Sequence, residues 1–177
     1  YRNTYLGDIP LDLENLLYSA NEAIISILGL KTGSTHGEYK VQGDRVVLME
    51  IAARGGGGNI SGKIIPFLTD FSPTNALLDF CLGTHPQIQA SSYRRKFAVL
   101  RFFDFAPGRV KAISDEHVED ENLLHFELTL RPSDLIRSVQ SSRDRVGYFI
   151  VGATERAQAL SAEQAILESV SIEYSDN

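Results

Sequence analysis

Residues 36–58 read HGEYKVQGDRVVLMEIAARGGGG and carry the clearest structural signal in the chain. Two segments of strand-like composition, 35–41 and 45–52, flank the tripeptide Gln42-Gly43-Asp44. A short glycine-containing connection between two such segments is typical of a β-hairpin. We expect a three-residue loop with Gly43 near the left-handed conformation, followed by a segment with almost no side chains.

The length of this loop determines which side chains share a face of the hairpin. With three loop residues, Val41 pairs with Arg45, and Glu38 lies opposite Leu48, one same-face step from Glu50. A two-residue loop would instead place the glutamates on opposite faces. The predicted polar face carries His36, Glu38, Lys40, Val46, Leu48, Glu50 and Ala52, continuing to Arg54. The predicted core face carries Tyr39, Val41, Val47, Met49 and Ile51.

Two carboxylates on one face of neighbouring strands suit a hard divalent cation such as Mg²⁺. This ion takes one or two protein carboxylates, and phosphate and water oxygens complete its octahedron. The alternative is a surface network in which Glu38 pairs with Lys40 and Glu50 pairs with Arg54. Glu50 argues against the network, because it interrupts the apolar run VVLMEIAA, where an unpaired charge is costly. We therefore expect Glu38 and Glu50 to bind a metal ion.

The four glycines after Arg54 have two interpretations. They could form a flexible loop, or they could let backbone N–H groups approach an anion such as phosphate. Their position directly behind two carboxylates and an arginine favours the second interpretation. The forked, permanently charged guanidinium of Arg54 is well suited to a transferring phosphate group.

The rest of the chain mixes helix and strand signals. Apolar spacing predicts a helix over 11–28 capped by Gly29, and a second over 74–82 between Pro73 and Gly83. The other predicted elements are strands at 96–105, 109–113, 123–130 and 145–153, an acidic loop at 114–122, and a helix at 161–169 with Ser161 as N-cap and Gln164 in a capping box. This pattern predicts an α+β fold, a mostly antiparallel sheet with flanking helices.

Composition excludes several classes of function. The net charge of −6 over 177 residues argues against nucleic acid or an anionic membrane as a partner. No apolar stretch approaches the roughly 20 residues that span a bilayer. The single cysteine, Cys81, lies in a helical apolar pattern and is expected in the core, and a cytoplasmic location is the natural expectation. His85, His117 and His125 are scattered and lack zinc-ligand spacing.

These residues resemble the C-terminal half of an ATP-grasp domain, found in carboxylate–amine ligases. The resemblance rests on GSTHGEYKV and VVLMEIAARGGGG, which look like the metal-binding hairpin of such a domain. FFDFAPGRVKAI and the segment from Arg145 look like its terminal β-rich part and last helix. It extends over nearly the whole chain, so residues 1–177 are expected to be the C-terminal part of such a domain. The form EIAAR is similar to the L-amino-acid ligase branch, and a carbamoyl-phosphate-synthase-like enzyme stays open.

The resemblance implies ATP and Mg²⁺ as cofactors, with Mn²⁺ as an alternative ion. Glu38 and Glu50 would hold the metal between the ATP phosphates, and Arg54 would stabilise the transferring phosphoryl group and the acyl phosphate. An amine or ammonia would then displace phosphate from the activated carboxylate. The residues implied in substrate binding are His36, Gly56, Gly57, Gly58 and Asn59. Ala52 stands where many members have a metal-binding asparagine, and Asn59 is the candidate to replace it.

In this family the adenine pocket, phosphate lysines and glycine-rich lid precede the hairpin, and we find no such segment before Leu11. We therefore expect an N-terminal ATP-grasp region to act in cis or in trans, and the chain alone to be inactive. The alternatives are a noncatalytic or split-subunit ATP-grasp module and, outside the family, a two-carboxylate metal hydrolase. The expected partners are small carboxylate and amine substrates, and a homodimer is also compatible.

Overall fold

The computed structural model describes residues 2–6, 9–84, 96–115 and 120–175. His85, His117 and part of the acidic loop predicted at 114–122 lie outside these ranges. The strands are β1 (Arg2–Leu6), β2 (His36–Gln42), β3 (Arg45–Ala52), β4 (Phe97–Phe102), β5 (Gly108–Asp115), β6 (Leu123–Leu128), β7 (Leu135–Ile136), β8 (Gly147–Ala153) and β9 (Val170–Tyr174). The α-helices are α1 (Leu11–Ile27), α2 (Ile65–Thr69), α3 (Pro73–Cys81) and α4 (Arg156–Ser169).

The chain divides into two compact units, which we describe separately. Unit 1 comprises Tyr1–Leu6 and Arg95–Asn177, and unit 2 comprises Gly7–Arg94. Across the described residues, every helix is too short or too polar to span a lipid bilayer.

Unit 1 is built on a four-stranded antiparallel sheet in the order β1-β4-β8-β6. Helix α4 packs against β4 and β8, because both strands present large apolar side chains to it. The core consists of Val99, Phe103, Phe149, Val151, Ala153, Ala159, Ala162, Ile166 and Val170. A smaller sheet of three strands, in the order β7-β5-β9, completes the unit.

Helix α4 begins five residues before the predicted start, so the N-cap assigned to Ser161 is wrong. Glu155 is the N-cap, and Ala159 and Ala162 are already buried against the sheet. Alanines add little to an apolar pattern, which explains why the sequence did not reveal the first turn. The Gln164 side chain donates a hydrogen bond to Glu168 (2.6 Å) instead of closing a capping box.

Unit 2 contains α1, the β2–β3 hairpin, a π-helical turn at Ile60–Ile64 that leads into α2, and α3. The predicted ends of α1 and α3 are confirmed. Gly29 has φ of 66° and Gly83 has φ of 79°, and the following N–H of Leu30 donates to the Ile25 carbonyl (3.2 Å). These are glycine-terminated helix ends in which left-handed glycine lets the backbone satisfy its last carbonyls.

Few of the described side chains of unit 2 are buried. Of its described apolar side chains, only Ile64 and Leu68 are buried. The prediction that Cys81 lies in the core is wrong, because the last turn of α3 is exposed. The prediction that one face of the hairpin lies in the core is also wrong, because Val41, Val47 and Met49 on that predicted face are 39%, 44% and 65% exposed.

Candidate metal site

The hairpin has a two-residue loop, not the predicted three-residue loop. Gln42 pairs with Arg45 and Val41 pairs with Val46, which leaves Gly43 and Asp44 as the connection. Gly43 adopts φ of 61°, as glycine does at the first central position of a tight hairpin turn. The predicted pairs Val41–Arg45 and Glu38–Leu48 are therefore wrong.

A β-bulge on β3 restores the arrangement that the shorter loop would have abolished. Tyr39 pairs with Leu48, but the next pair along the ladder is Glu38 with Glu50, so Met49 is an extra residue on β3. A bulge of this kind reverses the alternation of side chains beyond it. Val46 and Leu48 consequently lie on the opposite face from the one predicted, whereas Glu50 shares a face with Glu38.

Glu38 and Glu50 are direct cross-strand partners. Such partners have Cβ atoms about 4.5–5.5 Å apart, so both carboxylates can reach one ion. Both residues are exposed, and the Glu38 side chain is 62% exposed. The pair is open to a ligand approaching from solvent.

The alternative surface network does not form among the described residues. Glu38 contacts His36, with His36 Nε2 3.5 Å from Glu38 Oε1, and in the described part of the chain no ion pair joins Glu38 to Lys40 or Glu50 to Arg54. The Arg54 guanidinium donates instead to the carbonyl of Gly55 (3.0 Å). Glu50 therefore has no protein cation to balance it within this part of the chain.

The glycine run is held in a defined conformation. A Cβ on Gly55 would lie 2.5 Å from Ser61 Oγ, and a Cβ on Gly56 would lie 2.9 Å from His36 Nδ1. The Gly56 N–H donates to Ser61 Oγ (3.0 Å). These contacts bring the start of the loop against the same imidazole that contacts Glu38, so His36 links the loop to the glutamate pair.

The loop turns at two successive left-handed residues. Gly58 has φ of 58° and Asn59 has φ of 57°, and the Asn59 carbonyl accepts hydrogen bonds from the N–H groups of Lys63 (2.8 Å) and Ile64 (3.2 Å). Asn59 is thus the N-cap of the π-helical turn that leads into α2. Ala52 pairs with His36 at the end of the hairpin.

Ser61 is the residue of this site that the sequence reasoning missed. Its hydroxyl accepts a hydrogen bond from the Gly56 N–H, and no motif in the sequence distinguished Ser61 from the other serines. Among the described residues, no group of three or more His, Cys, Asp or Glu side chains could hold a metal by itself. A two-carboxylate site of the Mg²⁺–phosphate type is the arrangement that the donor set fits, because phosphate and water supply its remaining oxygens.

Comparison with known proteins identifies the fold. Residues 101–175, all in unit 1, match the family model described as L-amino acid ligase C-terminal domain 2. Phosphoribosylglycinamide synthetase from Anaerococcus prevotii superposes with a TM-score of 0.85 at 15% identity, covering 98% of this chain. The chain has the fold of the C-terminal portion of an ATP-grasp domain. The L-amino acid ligase from Bacillus licheniformis shares this ATP-grasp fold, with a TM-score of 0.82, 14% identity and 99% of this chain covered.

Biotin carboxylase from Campylobacter jejuni is a more distant ATP-grasp structure, with a TM-score of 0.66, 13% identity and 93% of this chain covered. The chain spans 45%, 44% and 37% of the lengths of these three structures. No curated protein matches the chain. The predicted α+β fold and the resemblance to the ATP-grasp superfamily are confirmed.

Proposed function

We propose that this chain is the metal- and phosphate-binding part of an ATP-dependent carboxylate–amine ligase. The observation that carries the proposal is the direct pairing of Glu38 with Glu50 on an ATP-grasp fold. The match of residues 101–175 to an L-amino acid ligase domain supports an amino acid as one substrate. The substrates are a small carboxylate and an amine or ammonia.

The residues of the hairpin fit a Mg²⁺ ion bound to ATP phosphates. Two exposed carboxylates offer hard oxygen ligands without a competing protein cation in the described part of the chain, and Mn²⁺ would fit the same donors. Bound ATP supplies the phosphoryl group that activates a carboxylate as an acyl phosphate. Glu38 and Glu50 would hold the ion, and the Arg54 guanidinium would stabilise the negative charge of the group being transferred.

The surrounding residues position this machinery. His36 contacts Glu38 and would orient its carboxylate, while Gly56 packs on His36 and keeps the start of the loop close to this residue pair. Gly57, Gly58 and Asn59 would contribute backbone groups to substrate binding, and Asn59 would substitute for the metal ligand that Ala52 does not provide. An ATP-binding region, in cis or in trans, would supply the pocket for the adenine ring.

A metal-dependence experiment tests the proposal. The chain is combined with the ATP-binding region of its enzyme, and ADP release with amino acid substrates is measured against Mg²⁺ concentration. Glu50→Gln should raise the Mg²⁺ concentration for half-maximal rate by about 10–100-fold, the range seen when metal sites lose a supporting group. Glu22→Gln, an exposed charge on α1, is the matched control and should change nothing.

The outcomes separate the candidate functions. Equal Mg²⁺ dependence of the wild type and Glu50→Gln would overturn the metal site. Nucleotide and Mg²⁺ binding without ADP release would favour the noncatalytic module. ADP release only when both polypeptides are present would show that the ATP-binding region completes the site.

A further inference from the structure

The peptide unit that joins Gly55 to Gly56 is hydrogen-bonded at both of its ends. Its carbonyl, on Gly55, accepts a hydrogen bond from Arg54 Nη1 (3.0 Å). Its N–H, on Gly56, donates to Ser61 Oγ (3.0 Å). Because the carbonyl and the N–H of one trans peptide unit lie in one plane and point in opposite directions, the Ser61 hydroxyl fixes the direction in which the Gly55 carbonyl meets the guanidinium.

Glycine on both sides makes this peptide unit easy to turn over. Turning it changes ψ of Gly55 and φ of Gly56, and glycine tolerates the positive φ that results. Larger residues cannot restrict the movement, because a Cβ on Gly55 would lie 2.5 Å from Ser61 Oγ and a Cβ on Gly56 would lie 2.9 Å from His36 Nδ1. The hydrogen bond to Ser61 opposes the movement, since a turned Gly56 N–H would point away from that oxygen.

Ser61 itself belongs to regular structure. It lies in the π-helical turn Ile60–Ile64, in which the amides of Lys63 (2.8 Å) and Ile64 (3.2 Å) donate to the Asn59 carbonyl. The turn ends at Ile64, whose side chain is buried, and leads directly into α2. The serine hydroxyl is therefore held in place by its own element, and the glycine segment is the part that it restrains.

The contact with the Gly55 carbonyl uses one nitrogen of the Arg54 guanidinium. This group carries five N–H donors in a planar fork, so its other nitrogens can meet the oxygens of a phosphoryl group. Arg54 is exposed, and a long exposed side chain loses conformational entropy when it binds a ligand. Holding one end of the guanidinium in advance reduces that loss.

We propose that Ser61 is a positioning residue: it holds the peptide unit between Gly55 and Gly56, whose carbonyl directs the Arg54 guanidinium towards the transferring phosphoryl group. This inference rests on the proposed function. Ser61 acts through the backbone and through Arg54, and it takes no part in the chemistry. Loss of its hydroxyl should therefore weaken the stabilisation of the transition state.

Removal of the hydroxyl tests the proposal, with the ATP-binding region present and ADP release as the readout. Ser61→Ala should lower kcat and kcat/KM together by about 10–100-fold, because a small displacement of a catalytic group has an effect of this size. Ser72→Ala is the matched control. Ser72 Oγ also accepts a hydrogen bond from a backbone amide, that of Asn75 (3.2 Å), so its loss should reduce stability and leave both kinetic constants unchanged.

The NMR signal of the Arg54 guanidinium nitrogens, assigned by its loss in Arg54→Lys, reports the position of this group independently of activity. Ser61→Ala should shift that signal, whereas Ser72→Ala should not. Ser61→Gly removes the same hydroxyl and gives an independent second variant, which should act in the same direction. Circular dichroism establishes that each variant keeps the wild-type fold.

The two readouts separate this inference from the proposed function. An Arg54 signal that is the same in the wild type and in Ser61→Ala would overturn the inference, even if kcat falls. A shifted signal with unchanged kcat would also overturn it, because the contact would then have no part in phosphoryl transfer. A shifted signal in a protein whose wild type releases no ADP would support the link between Ser61 and Arg54 and count against the proposed function.

Discussion

Three of the four glycines after Arg54 are required, and for different physical reasons. Gly55 and Gly56 have no room for a Cβ, because Ser61 and His36 lie too close. Gly58 has a positive φ that favours glycine. Gly57 has neither constraint, because a Cβ added there would meet nothing within 4 Å. Steric or backbone constraints thus require glycine at three positions of the run, whereas position 57 has room for a side chain.

Alanine substitutions distinguish these glycines. Gly56→Ala should lower the free energy of unfolding by about 1–3 kcal/mol, because its methyl group overpacks the site and pushes the His36 ring away from Glu38. Gly57→Ala has space and a permitted backbone, so it should leave the stability unchanged or raise it by up to about 1 kcal/mol. Urea unfolding measures both, and the His36 ring resonances report the displacement. Equal effects of the two changes would contradict the assignment.

At the scale of elements, the hairpin shows what sequence reasoning can and cannot reach. Strand composition and Gly43 located both strands to within a residue. The bulge at Met49 was not predictable, since no glycine or other local signal marks it, and its position depends on how the whole ribbon pairs. The sequence analysis thus placed Glu38 and Glu50 on one face, but through an incorrect register and without predicting that they pair directly. The loop is one residue shorter than predicted and the bulge adds one residue to β3, so the two differences together leave Glu50 on the face of Glu38.

The bulge gives a prediction about the length of β3. Deleting Met49 should leave a regular ladder in which Glu38 still faces Glu50, so Mg²⁺ dependence should persist. Inserting an alanine between Met49 and Glu50 should turn Glu50 to the other face and abolish that dependence. ADP release against Mg²⁺ concentration, measured with the ATP-binding region present, compares the two variants. Retained activity in the insertion variant would show that the shared face is not required.

The helices likewise include ends that local sequence predicts and one start that it does not. Gly29 and Gly83 specify helix ends locally, so the ends of α1 and α3 were predictable. The start of α4 depends on Ala159 and Ala162 fitting against the sheet, which is a tertiary effect that the sequence does not display.

The short 3₁₀ turn at Ser142–Asp144 should make the stability of unit 1 depend on pH. Backbone hydrogen bonds from Ser141 (2.7 Å) and Gln140 (3.0 Å), with a further bond from the Ser141 hydroxyl, lower the pKa of Asp144. Because the pKa is lower in the folded state, the stabilisation is present above the unfolded pKa of about 3.9. It is lost as the pH falls through the folded pKa.

Asp144→Asn tests this expectation. Thermal unfolding from pH 6 down to pH 2.5 should show the variant less stable than the wild type at the upper end, with the difference shrinking below about pH 4. A difference that stays constant across this range would rule out the carboxylate as its source.

At the scale of the whole molecule, the core is concentrated in unit 1. Most of the buried apolar side chains in the described residues belong to unit 1, whereas unit 2 buries only Ile64 and Leu68 among its described residues. This imbalance was not predictable, because the apolar residues of α1, α3 and the hairpin have the same spacing as core residues. Spacing identifies an apolar face and does not say which polypeptide covers it.

The first strand of unit 1 has a consequence for how this protein could be re-engineered. Leu6 on β1 pairs with Phe97 on β4, so the chain leaves the sheet for unit 2 and returns at adjacent positions. Topologically, all of unit 2 is one very long hairpin loop. Excising it and joining Leu6 to Phe97 through an Asn-Gly turn should yield a miniature protein that keeps the four-stranded sheet. Dispersed NMR amide signals and cooperative melting would establish this, and a random-coil spectrum would contradict it. Success would make the sheet a carrier onto which other inserts could be grafted.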